Sequence, residues 1–183
     1  LKIYIIGRSD NMMLGFGNII NKNSLKPLQD IIIADCELIT DFDYIYSCTK
    51  ALDTVKKVAG NSSIEFTKNG AVAGYFTMDI TRSLNLSRYT SLKYSLYTLD
   101  KSNIASVSST LFTTSPYDYG HSYVYFVGWE IVNGWNTFTI PFSSFTKAGI
   151  EDLSTIKAIR FTVNLLVDNI TEKVNFDDIQ ILK

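Results

Sequence analysis

From residue 62 onward the chain is a succession of short runs rich in Ile, Val, Phe, Tyr and Thr, separated by Asn, Gly, Ser and Asp. Within the runs apolar and polar residues trade places every second position, as in a strand with one face in a core. The pattern predicts strands at 63–67, 72–80, 91–99, 104–113, 122–131, 137–142, 158–165 and 173–182. Helical periodicity is almost absent, so these eight elements point to an all-β fold, an antiparallel sandwich or barrel. Turn residues agree, with Lys68, Asn69 and Gly70 after the first run and 99–103 after the third. No repeat at solenoid or propeller spacing is found.

The alternation also assigns faces. Phe138, Ile140 and Phe142 alternate with Thr137 and Thr139 in GWNTFTIPFSSF at 134–145, and together with Ile159, Phe161, Ile179 and Ile181 they form the expected core. If Val72, Phe76, Met78 and Ile80 face inward, Tyr75, Thr77 and Asp79 face outward. Likewise inward Phe161 and Val163 put Arg160, Thr162 and Asn164 outside, and Tyr97 faces away from Leu96. In 122–131, Tyr123, Tyr125 and Trp129 share one side and Val124 and Phe126 the other; both sides are apolar, so the period leaves open which is buried. The last run carries a conflict. Asp177 lies at even spacing from Ile179 and Ile181, so a regular strand would aim its carboxylate into the core. Such a group needs a cation, hydrogen-bond donors or a β-bulge that turns it outward.

Residues 1–35 read differently. LKIYIIG looks like a strand, but 8–23 mixes Gly, Asn and apolar residues in no clear period. This stretch is set apart as an N-terminal extension: the end of an upstream domain, a linker packed on the sandwich, or an extra edge strand. The main domain is taken as 36–183. A chain of 183 residues suits one such domain, and the absence of a signal-like pattern at Leu1 reads as a mature product or an excised fragment.

Composition narrows the function. A net charge of −1 gives no basic footprint for nucleic acid, and no run approaches the roughly 18 apolar residues of a membrane helix. Cys36 and Cys48 are the only cysteines, which excludes a disulfide framework or a four-cysteine zinc site and leaves one disulfide or two separate buried thiols. The single histidine, His121, has no motif-linked nucleophile, and zinc-protease and nucleotide-binding motifs are lacking. A glycosidase needs two carboxylates across a cleft, and the spacing of Asp79, Glu130 and Glu151 supports no pair. The expectation is therefore a domain that is not an enzyme.

Four features in order carry a resemblance: ITDFD at 39–43, GNSSIEF at 60–66, NLSRYTSLKYSLYT at 85–98, and the C-terminal series GWNTFTIPFSSF, LSTIKAIRFTV and VNFDDIQIL. From about residue 36 to 183 the chain resembles the jelly-roll carbohydrate-binding modules, most nearly those of family 11 and the related galactose-binding-like domains. The resemblance implies an antiparallel two-sheet jelly-roll β-sandwich and non-catalytic binding of a polysaccharide or glycan. It further implies an extracellular parent protein with other domains or subunits. In such modules an early acid and an acid of the last strand share a structural calcium ion, which matches Asp43 and Asp177, with Asp41 and Asp178 as neighbours. Sugars there lie on outward aromatic rings. The matching expectation here is a platform of Tyr75, Tyr97, Tyr123 and Tyr125 beside Asp79 and Arg160, with Tyr117, Tyr119 and His121 as a second cluster in the preceding loop. Burial of those tyrosines between the sheets would leave the rival reading, a structural or adhesion domain of a virion fibre or cell-surface assembly.

Overall fold

The computed structural model describes residues 11–14, 18–21, 27–68, 74–114, 118–149 and 152–183. Strands β1 (Asn11–Leu14) and β2 (Asn18–Asn21) pair with each other as a separate two-stranded sheet. The remaining strands are β3 (Ile31–Ala34), β4 (Tyr44–Tyr46), β5 (Cys48–Asp53), β6 (Ser63–Lys68), β7 (Tyr75–Leu84), β8 (Ser91–Thr98), β9 (Ile104–Phe112), β10 (Ser122–Val127), β11 (Gly134–Pro141), β12 (Thr146–Ala148), β13 (Ile156–Leu165) and β14 (Glu172–Leu182). They build two six-stranded sheets. The first runs β12-β10-β9-β13-β7-β4; the second runs β11-β8-β14-β6-β5, with β3 also paired to β14. All of these pairings are antiparallel. The fold is an all-β jelly-roll sandwich, as the resemblance implies.

Each run predicted from the alternation contains a strand. The four the pattern missed in the sandwich are short or irregular: β3, β4, β5 and β12. Of the extension, residues 31–34 form an edge strand along β14, antiparallel with Ile31 opposite Ile181. Strands β4 and β5 are one stretch of chain that changes sheets at Ser47, whose φ of +58° makes the corner.

The core lies where the two inner faces meet. Phe161, Ile159 and Val163 of β13 are fully buried beside Met78, Ile80 and Phe76 of β7, their register partners. Opposite them the second sheet offers Phe66, Leu92, Tyr94, Leu96, Phe176, Ile179 and Ile181, all buried. Aromatic rings fill the centre: Phe161 meets Tyr94 and Phe176 with centroids 4.9 Å apart in both cases, and Phe42 meets Phe66 edge-on at 4.9 Å. Ile140 and Phe142 are buried as expected, and Phe138 packs half-buried on Tyr94.

Two expectations are corrected by the register. Tyr123 and Tyr125 lie on the inner side of β10, because Tyr125 pairs with Ser109, which pairs with the buried Phe161. Tyr123 is 8% exposed, and Tyr125 packs on Phe145 at 5.7 Å. Val124 and Phe126 therefore face outward. Trp129 does not continue that strand: the turn at Gly128 leaves it 86% exposed. The conflict at Asp177 resolves as a bulge. The register of β14 against β8 shifts between Asp177 and Gln180, and Asp178 takes a φ of +52°. One extra residue changes the phase, so Phe176 and Ile179 both face in while Asp177 faces out. There it is covered by the 54–62 loop.

Cys36 and Cys48 are free thiols, the first buried and the second half-buried. Burial pushes the Cys48 thiol up to about 11, and burial together with nearby Asp177, Asp41 and Asp35 pushes Cys36 well above the ordinary range. Neither supplies a reactive thiolate at neutral pH.

Phe161 sits at the centre of the ring cluster. Phe161→Ala is expected to destabilise the domain by about 3 to 5 kcal/mol, read from denaturant unfolding. An unchanged midpoint would contradict its place in the core.

A tyrosine-lined cleft on the outer face of one sheet

On β7 and β13 the residues between the inward ones lie on the outer face of the sheet. Register sets Tyr44 of β4, Asp79 of β7 and Arg160 of β13 side by side, and in the next row Tyr46, Thr77 and Thr162. A further row joins Tyr75 to Asn164. These rows form the floor and one wall of a cleft of about 460 Å³, within the usual size range of small-ligand sites. Its lining is Tyr44, Tyr46, Tyr75, Thr77, Arg160, Thr162 and Asn164, with Tyr119 entering from the turn before β10. The four tyrosines are 40–52% exposed. Tyr46 and Tyr75 stack, with centroids 5.8 Å apart and planes inclined by 27°.

Beneath the rings lies a buried ion pair. Arg160 donates through Nε and Nη2 to the two carboxylate oxygens of Asp79, each at 2.7 Å. Asp79 is 1% exposed and Arg160 5%. Burial alone would press the guanidinium pKa down, but the hydrogen bonds to Asp79 and to the Tyr119 hydroxyl carry it above its ordinary value. A fork-to-fork pair of this kind fixes direction as well as charge. Nη1 of Arg160 then donates to the Tyr119 hydroxyl at 3.1 Å, and the Tyr119 ring packs edge-on against Phe112 at 5.2 Å. Arg160 itself lies over Phe112, 5.5 Å from its centroid. The cleft wall contributed by Tyr119 is thus held from below by a side chain that is itself locked.

Of the residues expected to bind, Tyr75 and Arg160 line the cleft and Asp79 anchors Arg160 under it. Tyr123 and Tyr125 do not join them, being packed between the sheets. Tyr97 faces outward but on the other sheet, where it meets Trp135 at 5.5 Å and Lys56 Nζ lies 5.5 Å above its ring. That face is a network of paired charges: Lys56 contacts Asp53 and Glu65, and Lys173 contacts Glu65. The expected four-tyrosine platform is therefore replaced by another, Tyr44, Tyr46, Tyr75 and Tyr119. Tyr119 comes from the expected loop cluster with His121 and Tyr117, of which Tyr117 lies outside the described residues. Sequence reasoning does not reach Tyr44 and Tyr46, because β4 spans only three residues and its inward Ile45 is placed by pairing with Met78.

The residues matched to calcium differ in their surroundings. Asp43 directly precedes β4 and is exposed, its Oδ2 accepting the Thr81 N–H at 2.6 Å. Asp177 belongs to the second sheet, fully buried, with Oδ2 accepting the amides of Val58 and Ala59 at 2.7 and 3.0 Å. Its Oδ1 is buried without a hydrogen-bond partner, and so is Oδ2 of Asp41. Burial and then Asp35 raise the Asp41 carboxyl above its usual value. Among the described residues no three His, Cys, Asp or Glu side chains group as a metal site. The orphaned oxygens of Asp177 and Asp41 are each of the kind that an oxygen-seeking cation would satisfy.

No family model and no curated protein sequence matches the chain. Solved structures do. The family 11 carbohydrate-binding module from Clostridium thermocellum, in complex with a β-1,3-1,4-mixed-linked tetrasaccharide, superposes with a TM-score of 0.62 at 19% identity, covering 86% of this chain and 97% of that one. The family 30 module of a cellulosomal cellulase of the same organism gives 0.58 at 16% identity over 85% and 98%. An agarase gives 0.57 at 11% identity, and there the match spans only 25% of the agarase chain. At these identities the likeness shows the fold: the jelly roll of the family 11 and family 30 carbohydrate-binding modules.

Because removing one partner of a buried pair strands the other, Asp79→Asn should cost about 3 to 5 kcal/mol. Tyr119→Phe should cost about 1 kcal/mol or less, since water can replace an exposed hydroxyl. Comparable losses in the two variants, measured by denaturant unfolding, would contradict the order of support described here.

Proposed function

We propose that this domain binds a polysaccharide, without turning it over, in the cleft on the outer face of the first sheet, as a module of a larger extracellular protein. The observation that carries the proposal is the cleft itself: half-exposed rings beside fixed polar groups in a jelly-roll sheet. Stacked Tyr46 and Tyr75 offer a planar apolar surface that can cover the apolar face of a pyranose. Thr77, Thr162 and Asn164 on the floor offer hydroxyl and amide groups to sugar hydroxyls, and the fixed Tyr119 closes one side. Little of this has to be ordered on binding, which lowers the entropic cost. The sugar-bound family 11 neighbour supports the same reading by its fold.

Binding without catalysis is supported by the charge arrangement. Among the described residues no carboxylate lines the cleft, and Asp79 beneath it has both oxygens engaged by Arg160. Glycoside hydrolysis draws on a pair of carboxyl groups placed across the sugar. No helix among the described residues is long and apolar enough to cross a membrane.

Calorimetry against soluble β-glucans, xylans, mannans and galactose-containing glycans is expected to find a ligand of micromolar to millimolar Kd, about −8 to −4 kcal/mol. Tyr46→Ala and Tyr75→Ala should weaken it, whereas Tyr97→Ala on the opposite sheet should not. Failure of every glycan to bind would leave the assembly-domain reading in its place.

The proposal includes a structural calcium ion at Asp177 and Asp41, in place of the Asp43 and Asp177 pair. Such an ion would satisfy the two orphaned carboxylate oxygens, with backbone carbonyls completing its oxygen shell. A site of micromolar affinity at millimolar calcium stabilises the fold by about 4 kcal/mol. Chelator should lower the melting temperature, and Asp177→Asn should abolish the difference; identical melting with and without calcium, starting from metal-free protein, rules the ion out.

A further inference from the structure

The cleft occupies only one end of a longer polar track. Continuing its central row across the sheet, Tyr46, Thr77, Thr162, Ser108 and Phe126 are successive register partners on β4, β7, β13, β9 and β10. Four inter-strand steps of about 4.8 Å put roughly 19 Å between the first and last of these positions. Past the cleft the side chains of this face are small. Strand β9 turns Ser106, Ser108 and Thr110 to this face, where larger side chains would fill the trough, and Asn164 donates to the Ser106 hydroxyl at 3.0 Å. At the far rim the side chain rises again as Phe126, 61% exposed. The turn that follows lies against the start of β9, since a Cβ on Gly128 would stand 3.0 Å from the Ala105 carbonyl.

A single exposed phenylalanine is ordinary on a protein surface. Here, though, it shares a row with Tyr46 of the stacked pair and is separated from it only by small hydroxyl residues. The outer face of the opposite sheet is filled differently, by ion pairs and long side chains. We infer that Phe126 is a distal subsite for the same glycan chain: a ligand seated on Tyr46 and Tyr75 continues over Thr162 and Ser108 and packs a further sugar on Phe126. The inference rests on the glycan reading of the cleft and adds to it a residue that sets the preferred chain length. Hydroxyls of Ser106, Ser108 and Thr162 would meet the intervening sugars, and the phenyl ring would cover the apolar face of the last one.

The test is calorimetry with oligosaccharide ladders of mixed-linked β-glucan, xylan, mannan and galactan, from disaccharide to octasaccharide. It is run on the unmodified chain, Phe126→Ala and Phe126→Tyr, with melting and sedimentation measured on each. The unmodified chain should gain affinity with length until the ligand spans the track, and then level off. In Phe126→Ala the ratio of long-chain to short-chain affinity should fall by about fivefold to tenfold, and Phe126→Tyr should restore it. Binding whose length dependence is the same in Phe126→Ala and the unmodified chain overturns the subsite while leaving the cleft reading intact. So does a Phe126→Ala variant that changes sedimentation and not glycan affinity, which would make the ring a protein contact. If no ladder binds the unmodified chain, the cleft reading fails and the subsite with it.

Discussion

Neighbouring residues on a strand point to opposite faces, and the rest of this molecule follows from that constraint acting on β7 and β13. Packing Phe161 and Met78 into the aromatic centre leaves Arg160 and Asp79 nowhere to go but the outer face, next to each other. There the guanidinium and carboxylate satisfy one another and reach Tyr119. The same strands that form the core therefore position the cleft. A slip of β13 by one residue against β7 would turn Arg160 into the core, away from Asp79, and expose Phe161. The hydrophobic core and the binding surface are specified by one register.

The buried pair is better understood as a device of geometry than of stability. Replacing such pairs by apolar residues is often neutral or stabilising, so its presence under the tyrosines points to orientation. Bidentate contact fixes Arg160, Arg160 holds the Tyr119 hydroxyl, and the Phe112 edge fixes the Tyr119 ring. Tyr46 and Tyr75 are held differently, by stacking on each other at the end of the short edge strand β4. A carbohydrate offers weak and widely spread interactions, and a site that is already ordered keeps more of their free energy.

Much of this was legible in the sequence because the period of two is strong wherever a strand is long and one face is apolar. Strands β7 and β13 announced Tyr75, Asp79 and Arg160 correctly as outward residues, and the core residues of β11, β13 and β14 followed the same rule. The rule failed where its premise did. Strand β10 is apolar on both faces, so only its pairing with β9 could show that Tyr123 and Tyr125 face in. Strand β4 has three residues, too few for a period, and with it went Tyr44 and Tyr46. Tyr97 was outward as read, but an alternation names a face and not a sheet. At Asp177 the bulge inserts a residue, and no count of spacings along the strand reveals it. The extension kept its ambiguity for a similar reason, since β3 is defined by its partner β14 more than by its own pattern.

The central claim is that the ligand lies on the outer face of the first sheet. Backbone amide shifts followed by NMR during titration with a binding oligosaccharide test it most directly. The account predicts that the changes concentrate on Tyr44, Tyr46, Tyr75, Thr77, Tyr119, Thr162 and Asn164. Residues of the opposite outer face, Tyr97, Trp135 and Asn175, should stay still. Shifts centred on Tyr97 and Trp135, with the Tyr46 and Tyr75 signals unmoved, would contradict it.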